Sequence, residues 1–306
     1  MSSTVGFVLC AAGPKGADFT LGLLEKGYRP SIVYTYSQAG DSSDSHESII
    51  LACKSAGISV VIDRRPDLSG ARLALLVGWQ FLVKNGTENC IVLHDSLLPR
   101  FSGYAPTVTA LLIGADRIGV TALKPDEGID TGPIIAQLSE QIPPNAMVGD
   151  ALRLIVSLML RLTEDILRLS IEGNIPSVPQ NHDERSYSIW RDQLDYFVDW
   201  RMPSKIIANH IRALGPPYDG AKAVLQDGTV LRILEGEVIE DIKFEIRDPG
   251  KVWDLNSTGV DVVCGEGMIR IRSLTLDGVA FLIRKKRTRF LTADNAWIRL
   301  ANQIGP

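Results

Sequence analysis

His94 and Asp130 are the residues of this chain best suited to moving a proton. His94 closes the apolar run "NCIVLHDS", and Asp130 follows 36 residues later in "PDEGIDTGP". An imidazole changes charge near neutral pH and is the usual general acid–base group. A carboxylate beside it orients the ring, raises its basicity or holds a water. Gly103, Gly128 and Gly132 in the surrounding segments allow tight turns and close approach of backbone to a ligand. From the residues alone the pair defines an α/β enzyme of unspecified reaction, and a structural histidine at a strand end fits the same pattern.

These residues need elements to position them. The first half alternates apolar runs with helical patterns: "VGFVLCA", "PSIVYTYS", "ISVVID", "LALLVGW" and "NCIVLHDS" read as strands, and "FTLGLLEKG" and "SHESIILACKSAG" as helices. That alternation predicts an α/β, doubly wound, mostly parallel sheet, whose chemistry lies beyond the carboxyl ends of its strands, where His94 falls. "GVTALKPDEGIDTGPIIAQLSEQIP" reads as strand, polar loop, strand, and "DALRLIVSLMLRLTEDILRLSIEG" as a long amphipathic helix closed by Gly173. Composition changes after residue 173. The expected division is a catalytic domain over 1–180, a linker over 181–203 and a second domain over 204–306. The linker's tryptophans and tyrosines imply an ordered segment packed on the first domain. After the helix "SKIIANHIRALG" come short strands broken by turns, the spacing of a small β-barrel.

Composition narrows the class. Over 306 residues the net charge is −4, hydrophobic residues make up 45% and charged residues 22%. Such a balance gives no electrostatic case for nucleic acid or membrane as partner. The run Arg284–Arg287 is expected to be a solvated strand edge. Cys10, Cys53, Cys90 and Cys264 are widely spaced, so buried thiols in a reducing compartment are expected, with no metal. The opening "MSSTVGFVLCAAG" reads as a core strand rather than a signal peptide, and a cytoplasmic location is expected. "AAGPKG" at 11–16 lies where a helix N-terminus cradles phosphate, but it lacks dinucleotide-site spacing.

The segment "HDSLLPRFSGYAPTVTALLIGADRIGVTALKPDEGIDTGPIIAQ" resembles the signature of the folate-dependent formyltransferases, a superfamily spanning methionyl-tRNA, glycinamide ribonucleotide and sugar N-formyltransferases. The matching elements are His-x-Ser-Leu-Leu-Pro at 94–99, Gly103, Pro106, Gly-Val-Thr at 119–121 and Asp-Thr-Gly-Pro-Ile-Ile at 130–135. "DYFVDWRMPSKIIANHIRALGPPYDGAKA" is similar to the start of the family's OB-like domain. The resemblance implies a Rossmann-like formyltransferase sheet with a smaller C-terminal OB-like barrel. It implies 10-formyltetrahydrofolate as cofactor and tetrahydrofolate as product, held by Gly78, Trp79, Gln80, Phe81, Leu82, Leu98, Asp126, Gly128 and Gly132. It implies His94 as general base or acid, tuned by Asp130. Contacts to the acceptor fall to Ser96, Arg100, Gly103, Tyr104, Pro106 and Tyr218, with Ser96 read chiefly as a hydroxyl that stabilises the turn presenting His94.

Two positions depart from the pattern. The transferases usually carry Asn two residues before the histidine, where its amide meets the developing oxyanion; this chain has Val92, which has no donor. Hydrolysis of 10-formyltetrahydrofolate and a non-catalytic folate-binding homologue therefore stand beside amine transfer. Val92→Asn is expected to leave the fold intact, the position being read as facing a polar cleft. Where the family often has arginine, Tyr104 offers a stacking face and a hydroxyl. Residues 35–49 are acidic and polar rather than basic. The expected acceptor is thus a small primary amine, foremost that of a nucleotide-linked amino sugar, with a methionyl-tRNA formyltransferase-like activity as the alternative and a homodimer left open. Arg212 and Tyr218 divide between acceptor contact and packing. His46 reads as a solvated residue of a polar loop, with contact to an acceptor phosphate as the alternative, and His182 and His210 read as surface or packing residues.

Overall fold

The computed structural model describes residues 6–37, 44–173 and 175–295. The first residue of the expected opening strand and part of the acidic stretch at 35–49 lie outside them. Two compact units emerge. One gathers the chain up to Thr107, Asp116–Ile142 and Asp150–Trp190; the other gathers Val108–Ala115, Pro143–Gly149 and the chain from Arg191 on.

The first unit begins with β1 (Val8–Ala11), α1 (Gly13–Glu25), β2 (Ile32–Thr35), α2 (Ser45–Ser55), β3 (Val60–Ile62), β4 (Ala74–Val77) and β5 (Cys90–His94). There follow β6 (Ser102–Gly103), α3 (Pro106–Leu112), most of which belongs to the second unit, β7 (Arg117–Leu123), β8 (Ile134–Gln141), α4 (Val148–Glu172) and β9 (Tyr187–Ser188). Seven strands form one sheet in the order β3-β2-β1-β4-β5-β7-β8. β1 to β5 pair in parallel, whereas β5–β7 and β7–β8 are antiparallel. The strand order reverses between β1 and β4, the crevice where open α/β sheets bind ligands. β1 and β4 are buried at every residue, as parallel strands covered on both faces must be. Gly22 of α1 lets α4 approach: a Cβ there would come within 2.7 Å of Leu160. α4 ends at Gly173, whose φ of +77° serves the left-handed cap.

The second unit contains α5 (Ser204–Leu214), β10 (Ala221–Val224), β11 (Val230–Ile239), β12 (Val252–Asn256), β13 (Gly259–Val263), β14 (Met268–Leu276) and β15 (Val279–Ala280). Its antiparallel sheet runs β10-β11-β14-β13-β12, with β15 on β14. The segment 288–291 bridges the end of β10 and the outer edge of β12. Leu291 donates to Val224 of β10, while Val252 of β12 donates to Thr288 and Phe290 donates to Gly250. The basic run Arg284–Arg287 lies in an exposed turn leading into this closure, not in a strand edge, and Lys286 pairs with Asp254 at 2.5 Å.

The expected packing of residues 181–203 on the first domain holds for only part of the segment. Tyr187 and Ser188 pair with Ser102 and Gly103 in the first unit. Residues 196–198 instead join Lys222 of β10, and Trp200 is fully buried against Phe290, ring centroids 5.0 Å apart. The reason is backbone pairing: Lys222 donates to Tyr196 and accepts from Val198, which carries Trp200 into the second core.

Candidate active site

Strand alternation puts Cys90, Val92 and His94 on one face of β5. The chain then turns, and Ser96 anchors the turn twice: its hydroxyl donates to Arg100 O at 2.8 Å and its carbonyl accepts from Thr121 Oγ1 at 2.7 Å. Leu98 N–H donates to Thr121 Oγ1, and Leu98 O accepts from Gln137 Nε2. His94 is thereby presented at the carboxyl edge, only 7% exposed.

Its two ring nitrogens have different neighbours. Nε2 lies 3.1 Å from the carbonyl oxygen of Phe101. A carbonyl only accepts, so this contact is a hydrogen bond when Nε2 carries the proton. In the neutral ring the basic lone pair is then on Nδ1, which faces Asp130 Oδ2 at 3.6 Å. That is longer than a hydrogen bond and within the distance of an ion pair if the ring is protonated. The Asp130 carboxylate is held in turn by Gly103, whose N–H donates to Oδ2 at 2.8 Å.

The loop that carries Asp130 is tightly built. Lys124 N–H donates to Pro133 O across its base. Gly132 is required there, because a Cβ would lie 1.8 Å from Lys124 O. Asp126 accepts from Gly128 N–H at 3.1 Å and from the Thr131 hydroxyl. Asp130 itself adopts φ +53°, a left-handed conformation that an aspartate tolerates at some strain.

The sequence reading missed a buried ion pair beside this histidine. Asp95, 7% exposed, meets the Lys15 ammonium through Oδ1 and accepts from Thr107 Oγ1 at 2.6 Å. Burial works to raise the Asp95 pKa, but Lys15, His94 and the Thr107 hydroxyl outweigh it and bring the carboxyl down to about 2. "AAGPKG" therefore supplies a lysine already engaged by a carboxylate, rather than a free phosphate cradle. An aspartate directly after His94 and a lysine in the first turn of α1 were the available signals. Gln180, Arg185 and Gln137 were missed as well; they come from the end of the expected catalytic domain, the expected linker and an expected strand.

The residues expected to hold folate divide into two groups. Gly78 has φ +63°, and a Cβ there would lie 2.4 Å from Ala12 O, so the loops after β1 and β4 touch through backbone. Trp79 and Phe81 pack edge-on against Tyr36, centroids 5.0 and 5.1 Å away. Gln80 is exposed and Leu82 is 84% exposed. Leu98 is buried, with both backbone groups engaged inside the turn. Among the expected acceptor residues, Arg100 is exposed over the Phe101 ring, Gly103 holds Asp130, and Tyr104 is 46% exposed beside it. Pro106 is buried at the start of α3. Tyr218 lies in the second unit, where Arg212 donates to the carbonyls of Leu111 and Ala146, a packing role.

Position 92 requires a correction. Val92 is half-buried and packs against the cluster of Val8, Cys10, Leu76 and Cys90. It packs against apolar side chains, while period-two alternation aligns it with His94 as well as with Cys90.

Comparison with known proteins agrees with this architecture. A "Formyl transferase" family profile matches residues 46–153, and a "Formyl transferase, C-terminal domain" profile matches 192–285. The chain belongs to the formyltransferase superfamily. A methionyl-tRNA formyltransferase of Burkholderia ambifaria is 32% identical over 197 residues, covering 62% of this chain and 57% of that relative. One from Sorangium cellulosum is 27% identical over 215 residues, covering 69% and 68%. The match thus spans little more than half of the first of these relatives. Among solved structures, the fold is similar to WlaRD, a sugar 3N-formyltransferase solved in the presence of dTDP and 5-N-formyl-THF (TM-score 0.67, 17% identity, 89% of this chain and 98% of that one). It is also similar to an N-formyltransferase from Helicobacter canadensis in complex with folinic acid and dTDP-3-aminofucose (0.66, 18%, 88% and 99%).

Proposed function

We propose that this chain transfers a formyl group from 10-formyltetrahydrofolate to the primary amine of a nucleotide-linked amino sugar. The observation that carries the reading is His94 Nδ1 facing the Asp130 carboxylate at the carboxyl edge of the sheet. Bound folate would supply the formyl carbon. The Gly78–Phe81 wall and the 126–132 loop fit it: backbone approaches closely at Gly78 and Gly132, and Trp79 Nε1 is buried with no partner among the described residues.

His94 does the proton work. As the amine nitrogen bonds to the formyl carbon it sheds a proton, which Nδ1 is oriented to take. The Asp130 carboxylate lies 3.6 Å from the nitrogen that receives it. The same proton is then available to the folate nitrogen as its bond to the formyl carbon breaks, giving a formamide and tetrahydrofolate. A nucleotide-sugar acceptor is supported by the exposed Tyr104 ring next to Gly103, by the acidic net charge and by the fold's likeness to transferases solved with dTDP ligands.

One observation favours a second reading. Val92 gives the developing oxyanion no donor, and removing such a donor typically costs roughly 3 kcal/mol in the barrier. Slow hydrolysis, with water in place of the amine, follows from a weakened oxyanion site. The test is tetrahydrofolate release from 10-formyltetrahydrofolate, followed by absorbance, with and without a panel of nucleotide-linked amino sugars. Release only with an amino sugar is expected, falling on the order of a hundredfold or more in His94→Ala. Release without acceptor overturns the transferase reading for hydrolysis, and silence with every acceptor overturns both.

A further inference from the structure

The Asp130 loop is not held by its own residues alone. Gln180, 7% exposed, donates from Nε2 to two carbonyls of that loop, Asp130 O at 2.8 Å and Gly132 O at 2.7 Å. Both protons of one amide thus fall on the carbonyls flanking Thr131, beside the residue whose backbone is left-handed. Gln180 is itself oriented from behind. Arg185 Nη2 donates to Gln180 Oε1 at 3.1 Å, which settles which end of the amide faces the loop. The other arm of the guanidinium reaches Ser102 Oγ at 3.2 Å and Ile129 O at 3.3 Å.

Arg185 therefore touches both segments that meet at the catalytic pair, the turn holding Gly103 and the loop holding Asp130. The backbone around it does the same. Ser186 donates to Pro99 O and accepts from Ser102 N–H, Ser188 accepts from Tyr104 N–H, and Val178 exchanges two hydrogen bonds with Ile134. Residues 178–188 form a strap across the two loops, with one buried amide at its centre.

We infer that Gln180, clamped by Arg185, is a positioning residue that fixes the Asp130 carboxylate opposite His94 Nδ1. It touches neither His94 nor any reacting atom. It acts by pinning the peptide groups on either side of Thr131, so that Asp130 keeps its left-handed backbone and its carboxylate stays on the Gly103 N–H. The effect on turnover rests on the formyl-transfer reading; the effect on Asp130 geometry does not.

The test reads both. By NMR, the Gly103 amide proton reports its hydrogen bond to Asp130, and Asp130→Ala defines its position when that bond is gone. Gln180→Leu is expected to move the Gly103 resonance most of the way to that position. Tetrahydrofolate release should fall in kcat by roughly tenfold to a hundredfold, the penalty of a misplaced catalytic group, with KM for the folate within about twofold. Gln180→Glu keeps the shape and the acceptor for Arg185 but offers no donor, so it should behave like Gln180→Leu and carries the test if the leucine variant does not fold. A Gly103 resonance unmoved in both variants overturns the inference, as does a change in KM with kcat intact. Wild-type protein that never releases tetrahydrofolate overturns the proposed function instead, and the Gly103 resonance still decides the role of Gln180.

Discussion

Asp95 is a tightly constrained charge in the first unit. Its carboxylate is almost out of water, yet it has an ammonium on one oxygen and a hydroxyl on the other. Its pKa of about 2 lies below the usual aspartate value near 4, so folding binds the deprotonated form more tightly. That stabilisation is fully present above about pH 4 and is lost as pH falls through 4 toward 2, and it amounts to about 2 kcal/mol. Acid unfolding followed by circular dichroism should begin in that window for the wild type. Lys15→Met leaves the carboxylate buried and unpaired, and stability at pH 7 should fall by about 3–5 kcal/mol. Lys15→Met with Asp95→Leu should recover much of the loss, because a neutral pair has no charge to desolvate. A double variant no better than the single one would show that the pair stabilises by packing alone. Val92 sits on the other side of this balance. Val92→Asn would place an amide among Cys10, Leu76 and Cys90. Its urea midpoint should drop by the equivalent of about 1–3 kcal/mol with the fold retained.

At the scale of elements, the site is a matter of loops held by backbone. The loop between β7 and β8 closes only because residue 132 has no side chain, and the obstacle to any other residue is a peptide oxygen that cannot rotate away. Gly132→Ala should therefore cost about 2–3 kcal/mol and abolish turnover, since the shift moves Asp130. At Gly128 a Cβ would meet the Thr131 side chain instead, which can turn aside, so Gly128→Ala should be milder in both melting temperature and rate. These contacts explain what the sequence could convey. His94, Asp130 and the glycines were legible because catalysis and tight turns restrict residue type, and the strands were legible because buried parallel strands are continuous apolar runs. Gln180 and Arg185 were not, because a glutamine at the end of the expected catalytic domain and an arginine in the expected linker carry no signal until the backbone brings them beside residue 130, some fifty positions away. Lys15 and Asp95 were hidden for the same reason, lying 80 residues apart in sequence. Val92 was only half legible, because its strand parity with both Cys90 and His94 fits packing and chemistry alike, and only the fold brings Val8, Cys10 and Leu76 against it.

At the scale of the whole chain, two cores carry two tasks. The first unit holds His94, Asp130 and their strap, while the second gathers an apolar cluster around Trp200, Ile233, Val262, Ile269 and Phe290. That second cluster depends on a short segment far along the chain. Residues 288–291 are bound at one side to Gly250 and Val252 and at the other to Val224, and Phe290 between them is fully buried on the Trp200 ring. Without this segment, β12 loses its outer partner and β10 loses its pairing at Val224, and the Trp200 face meets water. Phe290→Ala removes the ring while leaving the backbone pairs, so it isolates the packing contribution. It should destabilise the second unit by about 3–5 kcal/mol, the usual range for deleting a buried phenylalanine. Calorimetry should show that loss as a transition moved to lower temperature. The Gly103 amide resonance should keep its wild-type position at 25 °C, because no residue of the His94–Asp130 assembly contributes to the Phe290 cluster. A Gly103 resonance displaced by Phe290→Ala would mean that the two cores are coupled, and that the β domain takes part in shaping the catalytic loops.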